Sequence, residues 1–284
     1  MKKHSCKLYP LATLAVLALV PQKTYAQDSV WDADKWEISV GGGAGYGPKY
    51  EGSDEMEFDA FPYISIEWNE LVFLSPGDGL GIDFYRGGDL EASASIGYDS
   101  GREEGDDRKN LNGLGDVDDA VTANLSVEYE LGPVESFIGI SRNMGGTDGL
   151  QVEIGVEGII PLALLTGRGG FDGLDSEDDD DDYDGPHGPA IMLGLFAEWV
   201  DDNHAEGYFG VNAAQSARSG LVQYTAESGF KSVGAEVGLL YPITDSWSVV
   251  TLAEYSQLVG DAADSPVVKD KNQFSGGMFL SYRF

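Results

Sequence analysis

Cysteine is nearly absent from this 284-residue chain, and its single copy, Cys6, sits ahead of an N-terminal apolar stretch. A disulfide framework is excluded. Basic residues are scarce as well, since 17 Lys and Arg face 49 Asp and Glu for a formal net charge of −32. Binding phosphates needs a cationic surplus, so nucleic acid is excluded as a partner, and so is attraction to anionic headgroups. Beyond residue 26 no apolar run approaches the length of a membrane-crossing helix. Apolar and aromatic residues are not lacking: at 42% and 11% they are too many for a disordered acidic tail. The chain should fold, as one large domain or two small ones.

The N-terminus reads as a secretory signal peptide over residues 1–26. Lys2, Lys3 and Lys7 form its positive region, residues 8–20 its apolar core, and Thr24-Tyr25-Ala26 the small-residue cleavage site before Gln27. The core is too short for a membrane anchor. Cys6 precedes it, so it is not placed as a lipoprotein cysteine. Loss of the leader, with Lys2, Lys3, Lys7 and Lys23 and no acid, takes the net charge to −36 and leaves His187 and His204 as the only histidines.

The rest of the chain, residues 27–284, repeats one pattern: period-2 alternation over about ten residues, broken by Gly, Asp, Asn and Pro clusters. Val121, Ala123, Leu125, Val127, Tyr129 and Leu131 share one face, and Thr122, Asn124, Ser126, Glu128 and Glu130 the other. Residues 90–98, 150–157 and 274–284 alternate in the same way. In a soluble sandwich the apolar face meets a second sheet; in an outer-membrane barrel it meets lipid and the polar face lines a wet lumen. Mid-strand glutamates and aromatics near strand ends favour the barrel.

The alternation predicts an all-β protein, an antiparallel transmembrane β-barrel of the bacterial outer membrane with about 12 strands. The strands fall at 36–46, 58–68, 71–85 (broken by Pro76-Gly77-Asp78-Gly79), 90–98, 120–131, 134–141, 150–160, 190–200, 206–212, 230–241, 246–257 and 273–284. Counting from periplasmic termini, this order puts loops 47–57, 161–189, 213–229 and 258–272 outside and loop 99–119 in the periplasm. If 71–85 is two strands, the middle of that assignment inverts.

Several loop motifs, in order, resemble the MipA/OmpV family of outer-membrane proteins. They are Pro48-Lys49-Tyr50-Glu51-Gly52-Ser53-Asp54; Gly101-Arg102 with Leu111-Asn112-Gly113-Leu114-Gly115-Asp116; Tyr208-Phe209-Gly210-Val211 with Gln215-Ser216; and Gly260-Asp261-Ala262-Ala263-Asp264-Ser265-Pro266. The ending with Leu280, Tyr282 and Phe284 on one face is similar to the C-terminal assembly signal of bacterial outer-membrane barrels. The resemblance implies a barrel without a catalytic cycle: a scaffold linking a murein lytic transglycosylase to a penicillin-binding murein synthase, or a surface adhesion protein. A periplasmic loop 99–119 would then be where a murein partner docks. The acidic insertion at about 167–188 departs from the family pattern.

Within that insertion, Asp180, Asp182 and Asp184 followed by Gly185 have the spacing of the first half of a calcium loop, where alternate carboxylates turn inward. The closing Glu is missing, since Ile191 stands in its place. Such a half-site binds calcium weakly, and the competing reading is a solvated acidic loop; no other cofactor is expected. The run Gly41-Gly42-Gly43-Ala44-Gly45-Tyr46-Gly47 lacks phosphate-loop spacing and suits a bent, closely packed strand. A rim hydrolase would need a nucleophile, base and orienter, and the two histidines fall on loops that the parity separates.

The glycines and Pro266 of the motif loops suit turns, and Tyr50, Arg102, Asp116, Gln215, Asp261, Asp264 and Ser265 are the residues to meet a partner or solute. The main alternative to a scaffold is a small cation-preferring pore, supported by Glu91, Glu128, Glu130, Glu153, Glu157 and Glu254 on the lumen faces. Outer-membrane lipid and lipopolysaccharide, the latter bridged by divalent cations, are the remaining expected partners.

Overall fold

The structure, a computed structural model, describes residues 35–166 and 188–284. The leader, its cleavage site, His187 and the candidate calcium residues Asp180, Asp182 and Asp184 lie outside the described residues. Twelve strands form one closed antiparallel barrel: β1 (Trp36–Pro48), β2 (Met56–Trp68), β3 (Val72–Ser75), β4 (Gly79–Gly87), β5 (Leu90–Asp99), β6 (Ala120–Leu131), β7 (Val134–Met144), β8 (Leu150–Pro161), β9 (Ala190–Val200), β10 (Gly229–Pro242), β11 (Trp247–Leu258) and β12 (Asn272–Arg283). Each strand pairs with its sequence neighbours, and β12 returns to β1 from Ser39↔Arg283 to Tyr46↔Gly276. Among the described residues four short helices interrupt the connections: α1 (Leu162–Thr166), α2 (Asp202–Phe209), α3 (Ala213–Ser219) and α4 (Gly260–Asp264).

Closure satisfies the backbone, and the alternation then decides the faces. Phe58, Leu80, Ile96, Leu125, Leu195 and Met278 point outward and are exposed. At about 3.3 Å per residue and the tilt usual for such barrels, the 13 residues of β1 rise roughly 30 Å, enough to cross a bilayer's apolar band. Aromatics collect at both ends of that band. Trp36 lies 6.3 Å from Trp68, and Trp247 5.0 Å from Tyr282, at the end where the chain starts and finishes. Tyr255 and Phe274 pair at the opposite end, 4.8 Å apart. Leu280, Tyr282 and Phe284 stand on the outer face of β12, with Tyr282 and Phe284 edge to face at 4.9 Å.

Inside, carboxylates face one another across the ladders, as in Glu91↔Glu128, Glu135↔Glu157 and Glu153↔Glu198. Like charges directly opposite are costly in a dry sheet, which argues for water around these pairs. Among the acids, Arg86 of β4 contacts Glu91 and stands 3.3 Å from Asp83.

The glycine run of β1 has a specific use. Gly41 pairs with Tyr63 and Gly43 with Phe279, and the two rings stack across the bare strand at 4.6 Å. A Cβ on Gly41 would lie 2.0 Å from the Leu280 carbonyl oxygen. The same device recurs where Phe73 covers Gly81, Phe137 covers Gly155 and Phe196 covers Gly234.

The strand number matches the expectation, but two segments differ. Residues 71–85 form two strands, because Pro76-Gly77-Asp78 turns the chain back with the Ser75 hydroxyl on the Asp78 carboxylate at 2.6 Å. Residues 206–212 form no strand. Asp201 caps α2 there by accepting the His204 amide at 3.0 Å, and His204, Ala205 and Phe209 turn to one buried side. The two misreadings cancel in the count but not in the sidedness. Loops 49–55, 100–119, 201–228 and 259–271 all leave the same rim, opposite the termini, and we call it the distal rim. Loop 99–119 is therefore not on the terminal side, and the long 162–189 connection is. The other terminal connections are tight: residues 69–71, 88–89, 132–133 and 243–246.

Gly41→Val should lower the unfolding free energy of the refolded barrel by about 1–3 kcal/mol, as over-packing does. Gly42→Val, whose Cβ would face outward with its nearest neighbour 3.5 Å away, should stay within about 0.5 kcal/mol of the parent. Denaturant titration in micelles compares them.

Candidate functional site

The motif loops converge in a cap over the distal rim. Its interior is apolar and comes in two clusters that share Tyr224 at their edges. Tyr50, Leu111, Leu114, Val211 and Val267 form one; Val200, Ala205, Phe209, Ala226, Leu258, Ala262 and Ala263 form the other. Leu111 and Val267 have no exposed surface. Each fully buried side chain of this size contributes about 1.5–3 kcal/mol. Both buried apolar clusters of the described residues lie in this cap, while inside the barrel Met192, Phe196 and Val250 are buried singly.

The polar motif residues hold the loops together. The Tyr50 hydroxyl donates to the Val267 carbonyl at 3.0 Å, and burial, with Asp107 beside it, pushes this phenol's pKa well up. Gly52 donates its amide to Gln273 Oε1 at 3.0 Å with φ at 92°, and a Cβ there would meet Val268 Cγ2 at 2.7 Å. Ser53 accepts the Glu55 amide at 3.0 Å, and Asp54 accepts from Asn110 Nδ2 at 2.9 Å. Pro48 ends β1 opposite Met56.

In the second motif, Gly101 donates to Asp99 at 2.8 Å and buried Arg102 donates from Nη1 to the Tyr208 carbonyl at 2.6 Å. Gly113 accepts from Arg218 Nε at 3.1 Å, Gly115 donates to Glu104 at 3.1 Å, and Asp116 accepts the Glu104 amide at 2.7 Å. Gln215 completes a capping box with Asn212 at the start of α3, and its Nε2 donates to the Leu114 carbonyl at 2.8 Å. Ser216 donates to the Leu221 carbonyl at 2.7 Å.

In the last motif, Gly260 takes φ 55° at the head of α4. Asp261 accepts the Glu227 amide at 2.9 Å, and Asp264 pairs with Lys271 at 3.1 Å. The Ser265 hydroxyl donates to the Phe209 carbonyl at 2.6 Å, and the Pro266 carbonyl accepts from Lys269 Nζ at 2.6 Å. Glu55 holds its carboxyl down to about 2 through hydrogen bonds from Lys109 and Lys49.

Beneath the cap lies a buried polar cluster that the motif reading missed. Lys231 stands 3.1 Å from Glu51 and 3.3 Å from Glu198, and Ser232 donates to Glu198. Close by, the Tyr208 hydroxyl lies 3.1 Å from Asp99, which also accepts from Asn143 at 2.6 Å. His204 is not the loop histidine expected, since it lies within α2. It is 3% exposed and its ring stacks on Tyr208 at 4.6 Å. Neither ring nitrogen has a hydrogen-bond partner among the described residues. Burial, with Lys231 near, holds its pKa well below the usual histidine value. Among the described residues no group of three His, Cys, Asp or Glu side chains is placed to hold a metal.

A family model described as MltA-interacting protein MipA matches residues 40–284, the barrel and its cap together. The chain belongs to the MipA family. The MltA-interacting protein of Escherichia coli K12 is 35% identical over 81 residues, 28% of this chain and 32% of that protein. The outer membrane protein OmpV of Vibrio cholerae is 30% identical over 77 residues, 27% of this chain and 29% of that one. These matches thus span about a third of the relatives' length. Among solved structures, the Acinetobacter baumannii outer membrane channel DcaP shares 8% identity at a TM-score of 0.36, covering 88% of this chain and 96% of that one. The Vibrio cholerae relative is named an outer membrane protein, and the twelve-stranded barrel with its apolar outer face is an outer-membrane barrel.

The buried His204 should make the cap acid-sensitive. Its folded-state pKa is depressed, so below about pH 6.5 the unfolded segment takes up a proton that the folded one does not, and stability is lost as pH falls. Against His204→Phe, which keeps the stack on Tyr208, the parent should lose about 1.4 kcal/mol per pH unit below that point. Amide exchange of residues 202–209 between pH 7 and 5 measures the difference.

Proposed function

We propose that this protein is a non-catalytic outer-membrane scaffold whose terminal rim docks murein-processing enzymes in the periplasm. The observation that carries the reading is the allocation of the loops. At the distal rim, Tyr50, Arg102, Gln215, Asp261 and Ser265 are all engaged in loop-to-loop contacts. With both termini in the periplasm, as even-stranded outer-membrane barrels have them, that cap faces outward. The terminal rim offers four tight turns and one long connection, which carries residues 167–187 between α1 and β9.

The name of the Escherichia coli relative supports a murein lytic transglycosylase as the partner class, and the family resemblance adds a penicillin-binding synthase. A freely open cation pore fits less well, because the loops around the distal mouth pack on one another with Leu111 and Val267 fully buried. The leader supports export with cleavage after Ala26. On this orientation the docking segment moves as well, because loop 99–119 packs into the distal cap, on the side away from a periplasmic partner.

Affinity capture from periplasmic extract tests both points. The intact protein should retain a murein hydrolase or synthase, deletion of residues 103–114 should leave recovery unchanged, and deletion of residues 167–187 should reduce it at least fivefold. Recovery of no murein enzyme by the intact protein would overturn the scaffold reading. Loss on deleting 103–114 alone would overturn the orientation.

A further inference from the structure

A cleft of about 280 Å³ lies where the first and last strands meet at the distal rim. The ladder between β1 and β12 ends at Tyr46↔Gly276, while β1 runs on to Pro48 beside Met56 and β12 starts higher, at Asn272. The cleft sits above that last pair, beneath loops 49–55 and 259–271. Pro48 and Met56 form one wall and Phe274 the other. All three continue the outward alternation of Tyr46, Phe58 and Met278, so the cleft faces away from the lumen.

Its polar lining is Ser53, Asp54, Asp270, Asn272 and Gln273, and hydrogen bonds hold each of them in place. Asp54 accepts from Asn110 Nδ2 at 2.9 Å, Asp270 accepts the Asn272 amide at 2.8 Å, and Ser53 accepts the Glu55 amide at 3.0 Å. Asn272 in turn accepts the Tyr255 hydroxyl at 2.9 Å, and Gln273 accepts the Gly52 amide at 3.0 Å. A site fixed in advance binds with a smaller ordering cost. A carboxylate has about four acceptor positions, and these contacts do not fill those of Asp54 and Asp270.

This chemistry selects a neutral ring rich in hydroxyls. Asp54 and Asp270 repel a phosphate or a carboxylate, and Lys109, 3.6 Å from Asp54, already supplies a cation there. Hydroxyls both donate and accept, which carboxylates and amides side by side require. The C–H face of a sugar suits the negative face of an aromatic ring, and Phe274 is 59% exposed, tilted against Tyr255 at 4.8 Å. Pockets for drug-sized molecules hold about 300–1,000 Å³, so this cleft is sized for one sugar ring. Phe274 and Tyr255 belong to the distal aromatic girdle, the level at which lipid headgroups lie. Directly below, Gly276 leaves the outer face of β12 bare between Phe274 and Met278, which gives room for an acyl chain.

We propose that the seam cleft binds a glycolipid of the outer leaflet, with one sugar ring hydrogen-bonded to Asp54, Asp270 and Asn272 and stacked on Phe274. An acyl chain of the same lipid runs down β12 over Gly276. The choice of leaflet rests on the orientation given above, with the cap outward. The binding itself requires neither that orientation nor a murein partner at the other rim.

The test uses the full chain refolded into phosphatidylcholine nanodiscs, whose two leaflets both carry the probe, so the result does not depend on which rim faces out. Three photoactivatable probes bear the same headgroup diazirine: a glucosyl diacylglycerol, a diacylglycerol without the sugar, and a water-soluble methyl glucoside. The glucosyl lipid should label residues 48–56 and 270–274 saturably, at least tenfold above either of the others. Phe274→Leu should cut that labelling at least fivefold, as should Asp270→Ala, which serves if the first variant does not refold. Phe230→Leu, at an outward aromatic of the same rim, should leave it unchanged. Equal labelling by the sugar-free lipid would reduce the cleft to ordinary lipid contact, and equal labelling by the soluble glucoside would make it a site for free saccharide; either overturns the proposal. So would competition by phosphatidylglycerol, labelling unchanged in both cleft variants, or an equal loss in Phe230→Leu.

Discussion

A bilayer offers no hydrogen bonds, so every peptide group at membrane depth must find its partner within the protein. That constraint forces β12 back onto β1, and the rest of the molecule follows from the closure. Once the backbone is satisfied by the wall, the outer face is free to be apolar and the inner face free to be wet. The interior then need not be a continuous apolar core, although Met192, Phe196 and Val250 are buried within it. Opposed pairs such as Glu135↔Glu157 and Glu153↔Glu198 occupy the place where a soluble protein keeps its leucines.

The clustered apolar core lies at one end. Tyr50, Leu111, Val211 and Val267 arrive from four separate connections, and none could bury itself within its own loop. Glycines make the approach close enough: Gly52 lies against Val268, and a Cβ on Gly113 would meet the Arg218–Ser219 backbone at 2.7 Å. Both take positive φ, the region where a side chain is a liability. Residues that read as loop motifs are therefore packing and hydrogen-bonding parts of a second, smaller fold seated on the barrel.

How much of this was legible in the sequence depended on the range of the signal. Alternation is local and strong, and it showed the barrel, the outward face of residues 121–131 and the girdle residues at 280–284. Parity is not local. A turn at Pro76-Gly77-Asp78 inside an otherwise strand-like run adds one strand, and every later loop changes sides. Residues 206–212 alternate well enough to imitate a strand, yet Asp201-Asp202 ahead of them is a helix cap, and counting them as a strand restored the total while hiding the inversion. The cap contacts were illegible for a different reason, because they join residues far apart in the chain. His204 showed nothing of its burial, since the ring stacked on it and the cation near it, Tyr208 and Lys231, belong to a tertiary arrangement. The acid-rich stretch around Asp180 stays outside the described residues.

The bond from Tyr50 to Val267 spans 217 positions and that from Gly52 to Gln273 spans 221. Both lie within a few residues of the β1–β12 seam. Long-range contacts of this kind form slowly, because the intervening chain must first be brought to order. The first and last strands can meet only after the ten between them are in register, and these two contacts come together with that meeting. The cap thus acts as a completion mark: a chain that has lost its final strand has neither a seam nor Gln273 to hold Gly52, and its Tyr50 loop would stay open to envelope proteases. A partner or ligand that requires the assembled cap would then recognise only barrels that have closed.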